Sequence, residues 1–250
     1  VLKKKTLSLP FVIIITCLQT AISIVPGALF FRDSSQGPNI LPYMIAYLLI
    51  CDFFHIFGRM TYKQGRSLAL PAYSLKIIIS VVLIFLITKE TAIQFATILL
   101  AYEGFQLLTF SKRFFYIDSL SYSVVNAFFK GIVFNQLLTI NYPFTYHFDL
   151  MKPFIFSFVL ILFITILSQG MYSFLKRQAW FLILAVLCLV AIYFLLFRQY
   201  QDGSINLLKF IGFTLINLAS IYFFLRSKSM HKKEFVLNVM ALIGLYIYYL

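Results

Sequence analysis

Few groups in this chain can do acid–base or ionic chemistry, and several of them interrupt long apolar runs. Only eight residues are acidic, against 21 Lys and Arg in 250. Glu103 sits in Ala101-Tyr102-Glu103-Gly104-Phe105-Gln106, with Lys76 and Lys130 of other apolar runs as candidate counter-charges. Asp52 and His55 are three residues apart and so share a face if the segment is helical. Charges inside apolar spans are costly and usually face a protein interior or a water-filled cavity. Asp52 and His55 therefore read either as a polar pair at a cavity mouth or as a helix-end pair satisfied by loop backbone. Glu103 reads either as a proton or ligand site or as half of a structural ion pair. The remaining bases cluster: Lys3-Lys4-Lys5, then Arg59, Lys63 and Arg66, then Lys112-Arg113, then Lys176-Arg177, then Arg226, Lys228, Lys232 and Lys233. Such clusters either hold phosphate by charge-assisted hydrogen bonds or set the orientation of a membrane protein.

Metal and redox chemistry find little footing. Cys17, Cys51 and Cys188 lie in apolar runs with no CxxC spacing, and read as small buried hydrophobes. His147 and His231 have no ligand-like company, so no metal is assigned. Gln19, Asn126, Asn135 and Gln136 read as interhelical hydrogen-bonding residues rather than ligands.

The elements that must position these groups follow from composition. The chain is 62% apolar, 19% aromatic and 12% charged, where a soluble domain carries about 25% charged residues. Its apolar runs are long and continuous, without strand alternation, and a spanning helix needs roughly 20 such residues. The expectation is an all-α polytopic membrane protein, a single transmembrane domain over residues 1–250. Nine spans are read at 9–31, 40–57, 70–88, 91–110, 119–140, 153–174, 180–197, 207–225 and 234–250. Turn formers punctuate them at Gly37-Pro38, Asn141-Tyr142-Pro143 and Asp202-Gly203. The first run is about as long as a full span and lacks a small-residue cleavage site, so it reads as a retained helix.

Alternate connections carry the five basic clusters, which hold 14 of the 21 bases. The other connections hold only Arg32, Lys89, Lys152 and Arg198. Since cytoplasmic loops hold the excess of Lys and Arg, the N-terminus is expected in the cytoplasm and the C-terminus outside, in the cell membrane. The net charge of +13 is then a topology signal reinforced by anionic membrane lipid, and calls for no nucleic-acid partner.

This layout resembles that of the UbiA superfamily of intramembrane prenyltransferases, which also have nine helices, an inside N-terminus and basic loops after the even-numbered spans. Local stretches add to the resemblance. Lys4-Lys5-Thr6-Leu7-Ser8-Leu9-Pro10 is similar to the basic-to-proline lead-in of the family's menaquinone branch. Thr109-Phe110-Ser111-Lys112-Arg113-Phe114 resembles its T-K-R-F segment between spans four and five. Leu70-Pro71 resembles the L-P before its third helix, 19 positions after Asp52. The resemblance implies a helical bundle around a cavity that opens to the cytoplasmic side, and transfer of an isoprenoid chain from a prenyl diphosphate to an aromatic or lipid acceptor.

Against the family's pattern, the acids are replaced. Its first signature, N-D-x-x-D-x-x-x-D, falls here on Cys51, Asp52, His55 and Arg59, and only Asp52 is a carboxylate. Its second falls in residues 168–177, SQGMYSFLKR, which hold no acid. Leu108 stands where the family has a tyrosine. The family's carboxylates hold Mg²⁺, which wants oxygen ligands and neutralises the leaving diphosphate. Here the Mg²⁺ ligands are largely gone, so no cofactor and no catalytic residue are assigned. Asp52, His55, Arg59, Lys63, Arg66, Lys112, Arg113, Lys176 and Arg177 are the candidate diphosphate-binding set. The alternatives are a non-catalytic membrane accessory subunit and a transporter component.

Overall fold

The computed structural model describes residues 9–31, 40–63, 70–109, 119–139, 148–172 and 178–250. Those residues are all helical apart from short turns. In order the helices are α1 (Leu9–Phe31), α2 (Leu41–Lys63), α3 (Leu70–Glu90) and α4 (Ile93–Thr109). Next come α5 (Leu120–Phe128), a π-helical turn (Phe129–Val133) and α6 (Phe134–Thr139), which run on without a break. A 3-10 segment (Phe148–Phe154) leads into α7 (Ile155–Tyr172), followed by α8 (Gln178–Gln201), α9 (Leu207–Arg226) and α10 (Met230–Tyr249). Among the described residues six stretches are long and apolar enough to cross a membrane: Leu9–Phe30, Leu41–Arg59, Leu70–Glu90, Asp149–Gln169, Trp180–Gln201 and Leu207–Arg226. The protein is thus a multi-pass membrane protein by the length and composition of its helices.

Helix ends differ from the expected spans where polarity and helicity part company. α2 was expected to stop at Phe57 but continues to Lys63, because a helix leaving the apolar layer need not unwind there. α10 starts at Met230 rather than Glu234, with Ser229 at its N-cap. The fifth span is the main departure: a π-helical turn interrupts it at Phe129–Val133. Ser119 caps α5 by accepting from the Tyr122 N–H at 3.1 Å, and Asn206 caps α9 by accepting from the Lys209 N–H at 2.9 Å. Gly203, with φ of 73°, makes the tight turn out of α8 that an L side chain resists.

The chain forms two compact units. The first comprises Val1–Thr20 and Pro38–Phe115. In it α3 packs on both α2 and α4. α2 buries Met44, Tyr47, Leu48, Cys51, Asp52, His55 and Ile56, a spacing of three and four that lays one helical stripe inward. The second comprises Ala21–Gly37 and Tyr116–Leu250. There α7 is central, packing on α5, the π-helical turn, α8 and α10, while α9 packs on α10 and α8. Its core joins Phe156, Leu160, Ile164, Ile192, Phe213 and Leu245, and Phe156 stacks on Tyr248 with centroids 3.7 Å apart.

Candidate functional site

In the first unit Glu103 pairs with Lys76, one of its two candidate partners, and the two side chains are 5% and 2% exposed. The short connection between α3 and α4 makes them antiparallel neighbours. Lys76 stands 14 residues before the helix end at Glu90, and Glu103 10 residues after the start at Ile93. At 1.5 Å per residue their levels differ by about 6 Å, within the reach of a lysine stem. The other Glu103 oxygen accepts from the Cys51 thiol at 3.9 Å. The Tyr47 hydroxyl donates to the Leu99 carbonyl at 3.2 Å, and its ring meets that of Tyr102 edge-on at 6.5 Å. The pair is thus clamped by packed aromatics and presents no net charge.

Asp52 is 1% exposed and accepts from the Thr20 hydroxyl at 3.0 Å. His55 is 8% exposed on the same stripe of α2, and Arg59 follows one turn on, half-buried. Lys63 closes the helix, with its side chain outside the described residues. Arg66, Lys112, Arg113, Lys176 and Arg177 also lie outside them. Among the described residues no three of His, Cys, Asp and Glu come together as metal ligands. Asp52 accepts from Thr20 and Glu103 pairs with Lys76, so the described residues supply two engaged carboxylates here rather than the several oxygen ligands that Mg²⁺ takes.

The second unit holds two polar junctions. At the first, Ser123 of α5 donates to the Gln169 side chain of α7. Beside it, Ser168 donates to the Glu234 carboxylate of α10 at 3.5 Å, and the Asn238 amide donates to the Glu234 carbonyl at 2.8 Å. All five are buried. The second junction is centred on Asn135, which is fully buried. Its amide nitrogen donates to the carbonyls of Lys130 and Gly131 at 2.9 and 3.0 Å, and its oxygen accepts from the Gly27 N–H at 2.7 Å. Asn135 therefore ties the π-helical turn to α1 just after Pro26, where proline removes a helix donor. Close approach is built in, because a Cβ on Gly131 would fall 2.4 Å from the Phe158 Cα and one on Gly27 3.0 Å from the Asn135 Cα. Lys130, 5% exposed, lies within this π-helical turn, and such turns occur frequently at functional sites.

Comparison with protein-family models, curated proteins and solved structures finds no match for this chain. The site is read on its own geometry. Sequence reading missed Glu234 as the acid brought to the end of α7, where residues 168–177 supply none. The available signal was the pairing of Glu234 with Asn238 four residues on, two polar groups on one face of an otherwise apolar helix. For the π-helical turn the sequence offers only Lys130-Gly131 inside an apolar run.

Proposed function

We propose that this chain is a nine-span membrane protein with a cytoplasmic N-terminus that binds a prenyl diphosphate or a similar lipid phosphate through arginine and lysine. In the fullest form of this reading it is a divergent prenyltransferase of the UbiA type, passing the isoprenoid to an aromatic or lipid acceptor. The observation that carries it is the exchange of acids for bases along the inward stripe of α2, where Asp52 is followed by His55 and Arg59. The pairing of Glu103 with Lys76 and the bond from Thr20 to Asp52 support a mode of binding that rests on bases rather than on a metal. The basic set is Arg59, Lys63, Arg66, Lys112, Arg113, Lys176 and Arg177. Guanidinium and ammonium groups hold phosphate oxygens directly, and Arg does so in bidentate fashion.

A second reading, a transporter component, draws on Pro26-Gly27 within α1 and the π-helical turn joined to it through Asn135, since transporters build sites from irregular helices. One experiment separates the two: geranylgeranyl diphosphate binding to purified protein, with Mg²⁺ and with chelator, for the native chain and for Arg59→Ala and Arg113→Ala. The expected result is equal binding with and without metal, weakened roughly tenfold to hundredfold in each variant, as loss of a charge-assisted contact costs about 1.5–3 kcal/mol. Strict Mg²⁺ dependence refutes the metal-free mode. No binding in either condition favours the transporter or accessory reading.

A further inference from the structure

The turn between α9 and α10 is a second basic surface, separate in residues from the first. Arg226, Lys228, His231, Lys232 and Lys233 fall within eight residues that contain no acid. Arg226, Lys228, His231 and Lys232 are exposed. The Arg226 guanidinium donates to the Tyr222 hydroxyl at 2.7 Å and lies 5.8 Å from that ring's centroid. The Lys233 ammonium lies 4.8 Å from the centre of Phe224. These two cations are therefore held against aromatic rings of α9, while Lys228 and Lys232 stand outward. The next acid in the chain, Glu234, is 3% exposed and engages Ser168.

Beneath the cations lies bare apolar surface. Of the twenty residues of α9 only Phe213, Asn217 and Ser220 are buried, and Leu225, Phe223, Tyr222 and Phe235 are 73, 57, 54 and 43% exposed. Twenty helical residues rise about 30 Å, the thickness of the hydrocarbon layer, so a spanning α9 carries Arg226 to headgroup depth. Tyrosine at that depth is the usual interfacial anchor.

We propose that the α9–α10 turn docks an anionic phospholipid, its phosphate held by Arg226, Lys228 and Lys232 and its acyl chains lying along Leu225, Phe223 and Phe235. A zwitterionic lipid brings its own ammonium to a surface that already has an excess of cations. An anionic lipid gains about fivefold per basic residue at the membrane surface. None of these residues belongs to the proposed diphosphate set, so either proposal stands or falls without the other.

The test uses the full chain in nanodiscs and spin-labelled phosphatidylglycerol and phosphatidylcholine, reading the fraction of each lipid immobilised by the protein. The native chain is expected to favour phosphatidylglycerol severalfold, with the preference reduced at high salt. In Arg226→Gln/Lys228→Gln/Lys232→Gln the preference should fall to near equality between the two lipids. Because these charges also orient the helices, a photoreactive phosphatidylglycerol is crosslinked to the native chain in parallel, with adducts expected at residues 222–235. Equal immobilisation of both lipids, an undiminished preference in the triple variant, or adducts confined to other segments overturns the proposal. So does displacement of the lipid by inorganic phosphate, which would mark a site for a free anion.

Discussion

Replacing Lys76 with methionine nearly keeps the length of the side chain and removes its charge, leaving Glu103 as a buried carboxylate beside the Cys51 thiol. The two members are 2% and 5% exposed, which takes the pair out of the surface regime of about 0–1 kcal/mol. Breaking a buried pair by removing one partner costs about 3–5 kcal/mol, because the survivor stays desolvated and uncompensated. Lys76→Met and Glu103→Leu are each expected to destabilise within that range. The double replacement is expected to be close to neutral, or stabilising by about 1–4 kcal/mol, because both desolvation costs disappear together. The assay is reversible unfolding of the purified protein in mixed micelles, arranged as a double-mutant cycle. Singles that cost less than about 1 kcal/mol would mean that water reaches the pair. A double variant as unstable as the sum of the singles would refute the coupling itself. Geranylgeranyl diphosphate binding unchanged in the double variant would assign the pair to architecture.

Two further outcomes are expected. Gly131→Ala forces a Cβ to 2.4 Å from the Phe158 Cα and is expected to destabilise by at least the 1–3 kcal/mol typical of overpacking, roughly, while Gly212→Ala meets nothing within 4 Å and should stay within about 0.5 kcal/mol; the same unfolding assay compares them, and equal effects would refute the close contact at the π-helical turn. For the proposed topology, a reporter fused after Leu250 should lie outside the cytoplasm and one inserted at Arg226–Lys233 inside, and finding both on one side would overturn the nine-span count.

The helices were legible because their signal is local. Long apolar runs broken by Asp202-Gly203 or Gly37-Pro38 mark segments regardless of what packs on them. Among the described residues, the six stretches long and apolar enough to cross a membrane each overlap an expected run, and five of them overrun its bounds by one to four residues. What was not legible depends on partners remote in sequence. The π-helical turn exists where Gly131 meets Phe158 and Asn135 bonds Gly27, 108 positions away, and no local pattern encodes that. Glu103 had two possible lysines. The choice of Lys76 could have been drawn from the short α3–α4 connection, which sets the two residues at nearly one level. Glu234 was placed at the start of the ninth span with no partner assigned, yet the helix begins one turn earlier at Met230 and turns that position inward. The phosphate-binding set is the least legible part: of its members only Asp52, His55 and Arg59 have described side chains.

The fate of the acids explains why both proposals point to anionic partners. Asp52, Glu103 and Glu234 are all buried, bonded respectively to Thr20, to Lys76 and to Ser168. Asp149 pairs with its neighbour Lys152 at 2.7 Å on the surface. Among the described residues three acids are thus buried against two bases, Lys76 and Lys130. Folding therefore concentrates positive charge outward, beyond what the net +13 of the sequence alone conveys. An unneutralised cationic surface at the ends of apolar helices is complementary to phosphate joined to hydrocarbon, and that is the common chemistry of a prenyl diphosphate and an anionic phospholipid. The two sites differ in what stands beside the cations. On α2 it is a buried stripe with Asp52 and His55, suited to enclosing a headgroup. At the α9–α10 turn it is exposed Leu225 and Phe223, suited to lipid that remains in the bilayer.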